Sequence, residues 1–383
     1  MQQSFFIGDD ERLFRDSLGK FFAEGWSDGE RRKHAAAEPG YSRQLWRRLA
    51  ELGALGAFLP ESAGGSGGNG LSLLVAMETF GKACFPSPYL TTMATAAPLL
   101  VVAGKQGTQL LRDIAAGNAV VPVALVEPHS RYDLNHVETR AAKQGHGFVL
   151  SGKKSCVPFA AGATRILIPA RVAGETRERN GIGLFLIDPA ADGVALTSYA
   201  TADGGWAADI ALTSVKADAG DVIGEPGEAY ALIEHAVDLA ILAQCAEAVG
   251  HMRALLDATV AYTKVRQQFG VALRTFQALQ HRMVDMFAAT ETAASRVQAA
   301  LARVAGPGSA VDPREAVLTK LAVDKSARLV GQEAVQLHGG MGMTDDLIVG
   351  HHFKRLTMMS LTLADHGKLL DRYREIEEGR HDN

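Results

Sequence analysis

Apolar positions recur at helical spacing through the first third of the chain, give way to short β-branched runs, and then return to helical spacing. Leu13, Phe14, Leu18 and Phe21 share one face of DDERLFRDSLGKFFAEG, and Leu45, Trp46 and Leu49 share one face of YSRQLWRRLAELGALG. LSLLVAMETFGKAC and LLRDIAAGN predict further helices, each closing near a glycine. Residues 1–120 therefore read as an N-terminal helical domain. Over 121–222, VVPVALVEP, GFVLSGKKSCVPF, TRILIPARV, IGLFLIDP, VALTSYA and DIALTSVKA are separated by Gly, Pro, Asn and Asp. They predict a central antiparallel β domain, a barrel or sandwich, in which FVLSGKKSCV supplies two strands around a Ser-Gly turn. Residues 223–383 are helical again. GEAYALIEHAVDLAILAQCAEAVGHMRALLDATVAYTKVR predicts one helix of about ten turns. FQALQHRMVDMFAATETAASRVQAALARV predicts a second, with Met283, Phe287, Ala294, Val297 and Leu301 along a face. Asp312-Pro313 opens a third that runs to AVQLHGG. Long adjacent helices with short breaks imply a C-terminal four-helix-type bundle, and the fold class is α+β.

Composition narrows the function. A chain of 383 residues needs two or three packed domains. It is 47% hydrophobic and 21% charged, with a net charge of −4, so nothing draws it toward nucleic acid. The apolar run HAVDLAILAQCAEAVG carries Asp238 and Glu247 and is too polar to span a membrane. MQQSFFIGDDERLF has no basic start, so no signal peptide is expected. Cys84, Cys156 and Cys245 are scattered, odd in number and without CxxC spacing. They fit a reducing cytoplasm, with no disulfide framework and no metal site expected. The loop PESAGGSGGNG lacks the Lys-Ser/Thr ending of a phosphate-binding loop.

Two breaks in the helical C-terminal region carry the candidate chemistry: VRQQFG at 265–270 and QLHGGMGM at 336–343. Taken singly, Gly270 is a helix C-cap, Arg266 a cation near a helix end, and Gly339-Gly340 a turn. Taken with LWRRLAELGALGAFLPESAGGSG, LSGKKSCV, FQALQHRMVDM and AVQLHGGMGMTDD, in that order of domains, they make the chain resemble the acyl-CoA dehydrogenase family over nearly its whole length. The resemblance implies FAD as cofactor. A glutamate takes the α-proton of an acyl-CoA thioester while the β-hydrogen leaves as hydride to the flavin. It implies that Arg266 donates to the pyrophosphate, Phe269 packs under the cofactor, and Gly270 ends the helix and leaves room. It further implies that Gln277 offers an amide, and that Gln336 with the Gly339-Gly340 backbone approaches the adenosine end of a neighbouring subunit's FAD.

The catalytic base departs from the family. The glutamate that most members carry downstream of the QxxGG glutamine falls on Leu363, and the one a minority carry on the long helix falls on Ala240. Neither side chain accepts a proton. Asp238 and Asp365 are the nearest carboxylates, and capping or solvation is expected of both, with His366 beside the second. The flavin-ring segments also differ. VEPHSRYD places Val126 at a hydroxyl position and His129, Arg131 and Tyr132 at small ones, while KSCVP places Cys156 at a tryptophan and Pro158 at a hydroxyl residue. The family's threonine after the glutamate aligns with Asp365.

These departures, with QLHGGMGMTDD and GHHFKRLT, make the chain similar to the small, base-lacking subunits of heteromeric bacterial members such as pimeloyl-CoA dehydrogenase. The expectation is a catalytically incomplete subunit of an α2β2 heterotetramer in the cytoplasm. It completes the FAD site of a second acyl-CoA dehydrogenase-like subunit, which binds the acyl-CoA and passes electrons to electron-transfer flavoprotein. Two alternatives stay open: a self-sufficient homotetrameric dehydrogenase using Asp365 or His366 as base, and a flavin-dependent monooxygenase or oxidase on the same fold.

Overall fold

The computed structural model describes residues 7–379. The first six residues, part of the segment read as carrying no signal peptide, lie outside the described residues. Six helices come first: α1 (Asp9–Gly25), α2 (Asp28–Ala35), α3 (Arg43–Glu51), α4 (Gly70–Lys82), α5 (Ala97–Val101) and α6 (Gly104–Ala115). A π-helical turn, Leu90–Ala96, runs directly into α5. Local chemistry sets their starts. Ser27, Ser42 and Asn69 are N-caps whose side-chain oxygens accept from the backbone N–H groups of Glu30, Leu45 and Leu71. The glycine-rich loop leads into α4 through a short turn, Glu61–Ala63, with no strand before it.

The central region is one seven-stranded sheet in the order β5-β6-β2-β1-β3-β4-β7. Its strands are β1 (Arg140–Gln144), β2 (Gly147–Pro158), β3 (Ile166–Arg171), β4 (Ile182–Ile187), β5 (Val194–Ala200), β6 (Trp206–Ala217) and β7 (Val222–Ile223). All pairings are antiparallel except β1 with β3. Two expectations need correction. FVLSGKKSCV is not two strands around a turn: it lies within the single bulged strand β2, and the turn is Gly145-His146 between β1 and β2. Gly152 is there because a Cβ would sit 2.6 Å from Thr139, a close approach rather than a reversal. VVPVALVEP is extended and meets the sheet through an isolated bridge, Val123 to Leu167, and through the Ser155 N–H of β2, which donates to the Val126 carbonyl at 2.8 Å.

Five helices complete the chain: α7 (Tyr230–Val265), α8 (Gln277–Leu301), α9 (Pro313–His338), α10 (Ile348–Met359) and α11 (His366–Glu377). α7 is buried along most of its length and is the axis against which α4, α8, α9 and α10 pack. α4 and α7 touch backbone to backbone. A Cβ on Gly81 would lie 2.0 Å from the Glu247 carbonyl oxygen, and one on Gly250 would lie 2.0 Å from that of Glu78. One large core links the N-terminal helices with the bundle, and a second fills the β domain. Among the described residues no helix is long and apolar enough to cross a membrane.

Candidate functional site

The two glycine-bearing breaks meet at one end of the bundle. α7 stops at Val265, where Arg266 leaves the helix in an extended conformation. Gly270 does not end that helix, as the spacing suggested. β8 (Gln267–Gln268) and β9 (Val271–Ala272) form a small hairpin, and Phe269 (φ 56°) with Gly270 (φ 80°) makes its two-residue turn. Positive φ at both central residues is the type I′ geometry that glycine favours. A short turn then brings Gln277 to the first position of α8. α9 ends beside this hairpin: the ring of Tyr262, in the last turn of α7, stacks on that of His338 with centroids 4.4 Å apart. Gly339, with φ 62°, closes α9.

Arg266, Gln277, Gln336, Gly339 and Gly340 are all exposed there. Among the described residues the side chains of Arg266, Gln277 and Gln336 have no hydrogen-bond partner. Built Cβ atoms on Gly270, Gly339 and Gly340 would meet nothing within 4 Å. Phe269 is 89% exposed, its ring edge-on to Phe276, and Val265 and Met343 are exposed beside it. This end presents a planar cation, two amides, bare backbone and apolar side chains, with nothing among the described residues covering them.

The second region is a crevice of about 320 Å³ between the β domain and the bundle, whose lining includes Tyr132, Asp133, Ile241, Leu363, Lys368 and Arg372. Leu363 takes φ 65° in the connection between α10 and α11 and presents hydrocarbon. That connection is held from beneath. Buried Lys320 donates to the Met359 carbonyl (2.8 Å) and to Gln244 (3.3 Å), and Gln244 donates to the Thr362 hydroxyl (2.7 Å). Ala240 is fully buried in α7, and its neighbours Val237 and Ile241 line the crevice instead. The two expected glutamate seats are therefore a crevice leucine and a core alanine.

The charges around the crevice are largely paired. Asp238 is neither solvated nor a cap, contrary to the expectation for it: it is 1% exposed and forms a two-pronged ion pair with Arg372, one prong at 2.8 Å. The sequence hid this because the partner is 134 positions away. Asp365 is the N-cap of α11, accepting from the Lys368 N–H at 2.9 Å, and His366 is exposed at the first position of that helix. Tyr132 donates its hydroxyl to the Leu361 carbonyl at 2.9 Å, while Asp133 accepts from Lys368 (2.6 Å) and Arg177 (3.2 Å). Tyr132 and Asp133 thus strap the β domain onto the α10–α11 connection and the first turn of α11. Burial raises the Asp133 carboxyl, but Lys368 and Arg177 outweigh it and hold the group below its usual value. Glu375 also lines the crevice and has no ion pair among the described residues. Sequence reasoning missed it, because it sits at neither family seat.

The carboxylate of VEPHSRYD is structural. Glu127 is 2% exposed and accepts from the Lys154 ammonium (2.6 Å) and from the backbone N–H groups of Glu138 (2.6 Å) and Thr139 (3.1 Å). Burial pushes its pKa up, but Lys154 and these donors pull it below the usual value. At the second ring segment, Cys156 has φ 53° and its sulfur lies 3.1 Å from the Tyr199 hydroxyl, while Pro158 ends β2. Proline supplies no N–H and no side-chain donor there.

Family models match in order along the chain: acyl-CoA dehydrogenase N-terminal domain over residues 8–118, middle domain over 123–216 and C-terminal domain over 230–362. A chain of the Tcur3481-Tcur3483 steroid ACAD is 30% identical with a TM-score of 0.86, covering 97% of this chain and 99% of that one. This chain belongs to the acyl-CoA dehydrogenase family. YngJ of Bacillus subtilis, named as a probable acyl-CoA dehydrogenase, is 28% identical across 86% of this chain and 88% of its own length. The ChsE4-ChsE5 complex from Mycobacterium tuberculosis shares the fold, with a TM-score of 0.85 at 23% identity and 99% of each chain covered. FAD is the cofactor of the family. The uncovered donors and bare glycines at the bundle end suit a dinucleotide. The strapped crevice presents hydrocarbon at Leu363 with Asp133 and Lys368 paired beside it.

Proposed function

We propose that this chain is the base-lacking subunit of a heteromeric acyl-CoA dehydrogenase. It contributes the dinucleotide end of an FAD site to a partner subunit, and that partner carries the ring pocket, the acyl-CoA and the catalytic glutamate. The observation that carries the reading is Leu363, a hydrocarbon side chain where the family places its proton acceptor. It stands in a crevice whose Asp133 and Glu234 are tied to Lys368, Arg177 and Arg372, with Arg372 also paired to the buried Asp238. Bound FAD supplies the hydride-accepting chemistry. This chain's residues hold its far end: Arg266 through a charge-assisted fork to the pyrophosphate, Gln277 and Gln336 through amides, and Phe269 through apolar contact. Gly270, Gly339 and Gly340 leave the approach to backbone open. The exposed Val265, Phe269 and Met343 around these groups fit a surface that is covered on assembly. Electrons are expected to pass to electron-transfer flavoprotein, in the cytoplasm. The test is acyl-CoA oxidation by the purified chain with an artificial acceptor, alone and after co-expression with a glutamate-bearing relative. Turnover only in the second preparation supports the reading, and turnover by the chain alone rejects it.

Glu375 favours a second reading, the self-sufficient enzyme, because it is a crevice carboxylate without an ion pair among the described residues. Asp365 is occupied in capping α11, and His366 points the same reading to the helix start. If the chain alone turns over, loss of that activity in Glu375→Gln, Asp365→Asn or His366→Gln would name the base. Oxygen consumption without acyl-CoA oxidation would point to the oxidase alternative.

A further inference from the structure

The close α4–α7 crossing delivers Cys84, just past the end of α4, to His251 on α7, and α10 lays His352 against them. One donor atom from each of the three lies within 4.8 Å of the others. The residues are 7%, 2% and 3% exposed. The two imidazoles meet nitrogen to nitrogen, Nδ1 to Nδ1 at 2.6 Å, with ring planes crossing at 73°. We propose that Cys84, His251 and His352 form a buried binding site for a zinc(II) ion, with its fourth position open to a small cavity. The site is independent of which subunit carries the catalytic base.

The donor set is one zinc prefers, a thiolate with two imidazoles and room for a water. The two Nδ1 atoms already stand side by side at 2.6 Å. Two ligands about 2.05 Å from a tetrahedral ion stand roughly 3.3 Å apart, so the rings need to separate by about 0.7 Å. Nε2 of His251 faces a Glu247 carboxylate oxygen at 3.5 Å, the outer-shell partner that fixes a metal-binding histidine with Nδ1 free. Burial lowers both imidazoles below their usual value, so both are neutral and able to ligate. A cavity of about 40 Å³, lined by Cys84, His251, Glu247 and Arg355, is large enough for a water on the fourth position.

The charge balance also closes. Arg355 receives two carboxylates, Glu247 at 2.8 Å and Asp203 at 2.7 Å, both held anionic by it, which leaves one negative charge in surplus. Arg31 and Arg32 share Asp28, and Arg32 also faces Asp346 at 3.9 Å. A zinc(II) ion with one thiolate adds a single positive charge and cancels that surplus. Without metal the Cys84 thiol is protonated, its pKa pushed up to about 12 by burial. Binding therefore releases the thiol proton to solvent, and the Nδ1 proton shared by the two imidazoles moves to the Nε2 of His352. Sequence spacing gave no sign of the site because its ligands are brought together by tertiary packing alone. Its ion ties the N-terminal helices to the bundle at one point.

The test is metal content and spectroscopy on the full chain after chelator treatment and reloading with zinc(II) or cobalt(II). One equivalent should be retained through gel filtration. The cobalt(II) form should show the intense visible bands of a tetrahedral ion and a thiolate-to-cobalt charge-transfer band. Cys84→Ala should remove that band and weaken zinc affinity by at least the roughly 10–100-fold typical of losing an outer-shell partner. Cys156→Ala and Cys245→Ala should keep both. Failure of the wild-type chain to retain metal overturns the proposal, as does a cobalt(II) form without a thiolate band. Undiminished zinc binding in Cys84→Ala overturns it too. The wild-type spectrum decides even if Cys84→Ala does not fold.

Discussion

The bundle end and the crevice of this chain have opposite character. At the bundle end Arg266, Gln277 and Gln336 reach no partner among the described residues, and three glycines leave their backbone uncovered. In the crevice, Tyr132 donates to the Leu361 carbonyl, Asp133 is paired with Lys368, Arg372 is paired with the buried Asp238 behind it, and Leu363 presents hydrocarbon. Unmet hydrogen-bonding capacity on a surface is capacity for a ligand. A crevice whose charges are largely paired, Glu375 excepted, has less to offer one, because a ligand must first separate those pairs. The difference teaches that one chain can keep hydrogen-bonding capacity free on one surface while tying up most of it in internal pairs on another.

The largest effect should come from the buried pair behind the ring segment. Lys154→Met leaves the Glu127 carboxylate buried without its cation, and should cost about 3–5 kcal/mol of stability by urea unfolding. Glu127 is held below its usual carboxyl value of 4.5, so its contribution is complete above that pH and is lost as pH falls through the folded-state value. A thermal scan against pH should show an acid slope that Glu127→Gln flattens. An unchanged slope would make Glu127 something other than structural.

Next in size is Arg266→Ala in the co-expressed complex. Loss of a charge-assisted hydrogen bond of about 1.5–3 kcal/mol should weaken FAD retention by roughly 10–100-fold, with the fold intact. Equal FAD affinity would remove the bundle end from the site. Asp365→Ala should cost about 1 kcal/mol through the lost cap of α11 and leave turnover of the complex unchanged. Abolished turnover would make Asp365 catalytic. The smallest effect on stability should be that of Phe269→Asp, within about 0.5 kcal/mol for the chain alone, since the side chain is 89% exposed. The same change should disrupt assembly with the partner by analytical ultracentrifugation.

The helices were legible because their signals are local. Asp312-Pro313 caps α9 as the pattern predicts, and α7 runs unbroken for 36 residues. The strands were less so. β1, RAAKQ, has no alternating apolar pattern, and Gly152 mimicked a turn although it marks a close approach to Thr139. The hairpin at 267–272 was hidden because Phe269-Gly270 resembles a helix stop as much as a two-residue turn. Leu363 and Ala240 could be placed by spacing alone, whereas the pairing of Asp238 with Arg372 and of Glu127 with Lys154 depends on contacts that no local window contains. Glu375 and the Cys84–His251–His352 cluster went unseen for the same reason.

The central contrast is most directly tested by equilibrium binding of FAD to the chain purified alone, measured as flavin retained per chain after saturation and gel filtration. A site complete only at its dinucleotide end should retain well under one flavin per chain, and co-expression with a glutamate-bearing partner should restore a full complement to the assembly. One tightly held flavin per chain in the solitary protein, bleached by an acyl-CoA under anaerobic conditions, would contradict the account.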